Sequence, residues 1–185
     1  MRGILGYRVF LIHKDGVKSF AAIKSFDELR TKFTAGFGSQ WADMQILKAN
    51  NMKVEGISTY ESLFDMLGMK RFDYFPRGMN EAWVEIREKG KNYPNIVVDE
   101  HLALYYPFVV YFFVSKKNPA LADRIRRGLE IALKDGSFKE LFLVHHDIFI
   151  KQTHLDQRLL FKIPNPTLPP GTPEPDTSWW LKEKK

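Results

Sequence analysis

Cysteine is absent from the 185-residue chain. That excludes disulfide staples, thiol catalysis and cysteine-ligated zinc, and it leaves the redox compartment open. Long apolar runs are missing too. The longest, residues 102–114, carries three tyrosines and a proline and falls short of the roughly 20 apolar residues that cross a bilayer. Residues 1–13 do not read as a secretory leader, because Arg8 interrupts the apolar stretch and no small-residue cleavage site follows. Nor is there a block of one charge sign. The net charge is +6, but 28 Lys and Arg are interleaved with 22 Asp and Glu. That pattern reads as a solvated surface rather than a nucleic-acid stripe. No Ser-His-Asp order, phosphate loop or pair of catalytic carboxylates stands out. Neither an enzyme, a cofactor nor a nucleic-acid partner is expected.

What is present suits one domain or two small lobes with a real core. The chain is 44% hydrophobic and 14% aromatic, with 15 Phe. Residues 7–12 read as a strand closed by the turn Lys14-Asp-Gly16. Capping boxes at Ser25 to Glu28 and Ser58 to Glu61 open helices. Trp41, Met44 and Leu47 recur at helical spacing, so residues 40–49 form an amphipathic helix. Residues 33–37, 52–57 and 72–75 are the next strands. A helix over residues 79–89 is expected to expose Glu81, Glu85, Glu88 and Lys89. Strands at 96–99 and 106–115 follow, then a helix started by Asn118-Pro119 and stopped at Asp135-Gly136, and a short one over 138–144. From Ile163 the chain is too proline-rich for regular structure, with Trp179 and Trp180 expected to clip it to the body. Alternating strands and helices predict an α/β fold with a mixed, mainly parallel sheet.

Two segments point to a small-molecule cleft. In the first, a strand passes through Gly36 and Gly38 into a helix expected to start at Ser39 and Gln40. The unpaired N–H groups of a helix start suit a carboxylate or phosphate. The plainer reading makes Ser39 an N-cap alone. In the second, a strand is expected to break at Pro76, leaving Asp73, Tyr74 and Arg77 near its end, where α/β sheets hold ligands. Arg77 suits an anion through its fork of donors; the alternative is that it pairs with Glu81 while Asp73 caps a turn. Trp41 and Trp83 read as core before they read as ligand stacks. His145, His146, Asp147 and His154 read as a solvated helix end rather than a metal site.

The strings Gly38-Ser-Gln-Trp-Ala-Asp43, Tyr60-Glu-Ser-Leu-Phe-Asp-Met-Leu67 and Arg71-Phe-Asp-Tyr-Phe-Pro-Arg-Gly78 resemble the type 2 periplasmic solute-binding proteins. More narrowly, they resemble the family 3, amino-acid-type, substrate-binding domains of bacterial transporters and sensors. Tyr111-Phe-Phe-Val-Ser-Lys-Lys-Asn-Pro119 and the Gly128 to Phe138 stretch resemble that family's closing strand and last helix. The resemblance implies a three-layer lobe and two lobes closing on a ligand. Residues 1–115 would be lobe two with hinge strands, 116–155 returning helices of an incomplete lobe one, and 156–185 a proline-rich tail. It places ligand contacts at Gly38, Ser39, Gln40, Asp73, Tyr74 and Arg77, with residues 109–114 returning antiparallel beside the first strand. It implies a small polar or anionic solute, a transporter or sensor partner, and a periplasmic location. Binding by an incomplete clamp should be weak. The apolar stripes of the C-terminal helices predict folding back onto lobe two or a homodimer, with the homodimer preferred.

Overall fold

The computed structural model describes residues 3–172. The expected anchoring by Trp179 and Trp180 lies outside them. In chain order the elements are β1 (Tyr7–His13), α1 (Val17–Ala21), α2 (Phe26–Lys32), β2 (Thr34–Gly38), α3 (Asp43–Ala49), β3 (Lys53–Ile57), α4 (Tyr60–Gly68) and β4 (Tyr74–Gly78). Then come α5 (Ala82–Lys89), β5 (Ile96–Val98), β6 (Leu102–Tyr105), α6 (Pro119–Asp135), α7 (Ser137–Thr153) and β7 (Leu159–Lys162).

The strands form one seven-stranded sheet in the order β3-β2-β4-β1-β6-β7, with β5 also on β1. β1 is antiparallel to β4, β5 and β6, while β2 is parallel to β3 and β4, and β6 to β7. Six strands therefore share one direction and β1 alone opposes them. The fold is α/β with a mixed, mainly parallel sheet. All seven β1 residues are buried, so this central strand reads as a nearly unbroken apolar run. Its exceptions are Arg8 and, at its last position, His13.

From β2 the chain steps outward to β3, then crosses back over β2 to β4. Right-handed crossovers put α3 and α4 on opposite faces. The reversal leaves a crevice at the carboxyl ends of β2 and β4. β4 does not break at Pro76 but runs through it to Gly78. Pro76 faces Phe10, whose carbonyl accepts from the Asp99 N–H on the other side. The pair is therefore not hydrogen-bonded within the β1–β4 ladder, and proline loses no bond to β1 there.

Buried rings fill the core. Phe10, Phe20, Phe37, Phe64, Phe75 and Tyr74 are all essentially inaccessible, each phenylalanine contributing about 1.5–3 kcal/mol by burial. Ser25 caps α2 as expected, its hydroxyl accepting from the Glu28 N–H at 3.2 Å. The second cap is Thr59 rather than Ser58, accepting from Ser62.

The expected strand over residues 109–114 is not one; that segment joins no strand pairing. The place beside β1 belongs to β6, four residues long and just upstream. The sequence 156–185 is likewise not all tail, since Leu159–Lys162 extends the sheet as β7. Short apolar runs look alike whether they pair or not, and only pairing partners decide. Helix α7 is longer than expected, reaching Thr153.

Candidate functional site

At the crevice lies an open cleft of ≈ 270 Å³ lined by Leu5, Arg8, Phe37, Trp41, Asp43, Arg77, Glu81 and Phe108. Its floor is aromatic. Trp41 stacks on Phe75 with centroids 6.1 Å apart and meets Phe37 edge-on at 5.1 Å. Gly38 permits this, because a Cβ there would stand 2.4 Å from the Trp41 ring. Gly36 does the same for Phe72, at 2.2 Å. These glycines make room for core rings, and their close approach is not to a ligand.

The first charged group is built on β1. Arg8 donates through Nε to the Tyr106 hydroxyl at 2.8 Å and through Nη2 to Asp43 Oδ1. Tyr106 in turn donates to the same Asp43 oxygen. All three side chains are buried. Burial works against the Arg8 charge, but Tyr106, Asp43 and Glu81 outweigh it and raise its pKa above the usual guanidinium value. Burial is also the main cause that raises the Tyr106 pKa, with Arg8 opposing it. Tyr106 therefore stays a hydroxyl donor at neutral pH.

The second group is built on β4 and α5. Arg77 grips Glu85 with Nε at 2.8 Å from Oε2 and Nη2 at 2.6 Å from Oε1. Its Nη2 also lies 3.0 Å from Glu81 Oε2. The guanidinium sits over Phe75 and Trp41, 4.9 and 5.0 Å from their centroids. A planar cation with a rigid donor fork can serve rings and carboxylates at once, which lysine cannot. Tyr60 bonds Glu85 as well, and burial first, then this bond, raises its pKa.

The structure separates the residues singled out from sequence. Ser39 and Gln40 are exposed in a turn, and α3 begins only at Asp43. The helix start moves because the Trp41 N–H bonds the Gly38 carbonyl in a tight turn, while the Ser39 N–H bonds Ile57 of β3. Ser39 and Gln40 are not among the residues lining the cleft. Asp73 stands at the amino end of β4, where its carboxylate accepts from the Thr34 N–H at 2.7 Å. That is the opposite end of β4 from Arg77, and the bond ties the start of β4 to β2 across the sheet, so Asp73 neither reaches the cleft nor caps a turn. Tyr74 is fully buried against Phe10 and Phe20. Arg77 alone of the six lines the cleft, and the Glu81 pairing weighed for it is present. Glu85, expected on an exposed face, is buried.

Arg8 and Asp43, which line the cleft, and Tyr106 and Glu85, which hold its two arginines, were not singled out from sequence as site residues. Arg8 carried one signal, a cation inside an otherwise apolar strand, which needs a buried partner. Its partners lie 35 and 98 residues away, beyond any local spacing rule. Among the described residues no group of three His, Cys, Asp or Glu could hold a metal ion. No described helix is long and apolar enough to cross a membrane.

No family model and no curated protein matches the chain. Solved structures do resemble it. One is an ancestral arginine-binding protein bound to arginine, 18% identical with a TM-score of 0.49, covering 75% of this chain and 59% of that one. Another is named as a binding component of an ABC transporter from Wolinella succinogenes, complexed with lysine (17% identity, TM-score 0.48, 80% and 61% covered). A third is the GluR0 ligand-binding core from Nostoc punctiforme in complex with L-glutamate (13%, 0.44, 76% and 62%). These are solute binders. The chain spans about three fifths of their length.

Proposed function

We propose that the chain is a non-enzymatic binder of a small polar solute of the amino-acid or carboxylate type, acting as a substrate-binding domain for a transporter or sensor in the periplasm. The observation that carries this reading is the cleft at the carboxyl ends of the parallel strands. It combines two buried guanidiniums with an aromatic floor, the few convergent polar groups on an apolar wall that orient a small ligand. Its size suits a solute of a few heavy atoms rather than a polymer. In this reading residues 1–115 make one lobe, and 116–155 are the returning helices of a second lobe that the chain holds in part. One jaw buries less of a ligand than two, so affinity is modest.

Titration of the full chain with a panel of amino acids and small carboxylates, followed by calorimetry and by Trp emission, tests the assignment. One member is expected to bind and to perturb the emission, and Trp41→Phe to remove that perturbation. Binding by no member of the panel at millimolar concentration would reject it.

The C-terminal helices favour a second reading alongside the first. α6 has no buried residue, and Leu121, Ile131, Leu141, Val144 and Ile148 are exposed on the α6–α7 hairpin. A face of this kind marks a protein contact. We assign it to a second copy of the chain.

A further inference from the structure

The two guanidiniums of the cleft converge on one carboxylate. Glu81 Oε2 lies 3.0 Å from Arg77 Nη2 and 3.8 Å from Arg8 Nη1, and it accepts the Gly78 N–H at 3.0 Å. Two cations and a backbone donor around one oxygen form the arrangement that proteins use to hold a ligand anion. Here a residue of the chain already fills it. Asp43 and Glu85 engage the remaining faces of Arg8 and Arg77, so two cations meet three carboxylates. The Glu81 side chain is the accessible one of the three, one-third exposed against about a tenth for the others.

We propose that Glu81 sets the charge preference of the cleft, its carboxylate standing where a solute anion would bind between Arg8 and Arg77. This rests on the reading of the cleft as a solute site. With Glu81 in place an entering anion meets no open cation and faces a like charge, so within the amino-acid or carboxylate class the cleft disfavours anionic carboxylates and favours zwitterionic amino acids. Swinging Glu81 outward, or removing its charge, exposes two oriented guanidiniums at one point.

The backbone at Gly78 offers an independent handle. A Cβ there would stand 2.9 Å from Glu81 Oε2 and 3.0 Å from Asn80 Oδ1, both ends of side chains that can move. Gly78→Ala therefore displaces the carboxylate without removing it.

Calorimetric titration of the full chain with succinate at low ionic strength reads the effect. Glu81→Gln is expected to bind succinate at least about tenfold more tightly than the unaltered chain, roughly 1.4 kcal/mol. Gly78→Ala should shift the same way by less, and Glu88→Gln, on the exposed side of α5, should not shift at all. If Glu81→Gln does not fold, Gly78→Ala decides. Succinate binding unchanged in the folded Glu81 variant, or raised equally by Glu88→Gln, would overturn the assignment even where an amino acid still perturbs Trp41. Loss of all panel binding by every form would instead strike at the cleft as a solute site.

Discussion

Arg77 and Glu85 lie on adjacent elements and are both about nine-tenths shielded from solvent, so each is the condition for burying the other. Removing Glu85 leaves the buried Arg77 with only the part-exposed Glu81 to balance it, a loss of up to about 3–5 kcal/mol. Glu85→Ala should accordingly lower the urea midpoint far more than Glu88→Ala, which touches no buried cation. Equal midpoints for the two variants would mean that solvent reaches Arg77 freely. Asp99 presents the opposite case, a buried carboxylate whose nearest cation, Arg158, bonds its backbone carbonyl rather than its side chain. Its burial raises the pKa, against the backbone bonds from Leu102 and His101 and the charge of Arg158 that lower it. Between the ordinary carboxylate value and the raised one, the folded chain holds more protons than the unfolded chain. Stability from this group therefore falls as pH rises through that window and stays reduced at neutral pH. Asp99→Asn cannot titrate. The melting temperature of the unaltered chain relative to this variant should decline as pH rises from below the carboxylate range to neutral. A relative gain with rising pH would contradict the shift.

Among the elements, most caps were legible and strand pairing was not, although the cap of α4 is Thr59 rather than Ser58 and α3 starts at Asp43 rather than Ser39. Ser25, and Asn118 with Pro119, mark helix starts by chemistry that acts within three residues. Gly136 marks a stop because its φ of 89° suits a residue without Cβ. β6 and β7 are each four residues long and gain their identity only from one another and from β1. The same locality predicts dynamics. α6 is well capped but buries nothing, and α7 is its one packing neighbour of substance. α7 is pinned through Phe142 to a small cluster with Ile4, Tyr7, Met79 and Tyr105. Amide exchange should therefore open α6 well before β1, whose residues lie in the main core. Protection of α6 equal to that of β1 in dilute, monomeric solution would refute this.

For the whole molecule the unpartnered surface matters most. Phe112 and Phe113 are 70% and 93% exposed on the segment between β6 and α6, and Val144 is 80% exposed on α7. The expected folding back is partial, reached by α7 at Phe142 and not by α6. Such a surface favours self-association through a symmetric contact. Light scattering should give the mass of a dimer at micromolar concentration, and Val144→Glu should shift it to monomer without changing the melting temperature of dilute protein. A monomer at all concentrations would remove the homodimer and leave the face to another protein.

Local chemistry settled the class of the fold, the order of most strands and helices, and the caps at Ser25, Asn118 and Gly136, because periodicity and capping depend on neighbours a few residues apart. It also offered Arg77 either as an anion contact or as the partner of Glu81, four positions on, and the structure holds that pairing. The tertiary structure alone decided that Arg8 meets Asp43 and Tyr106, that Glu85 turns inward, and that Asp73 and Tyr74 fall away from the cleft. Those outcomes follow from strand order and register: β1 lies against both β4 and β6, so residues distant in the chain are forced to share one buried space and satisfy one another's charge.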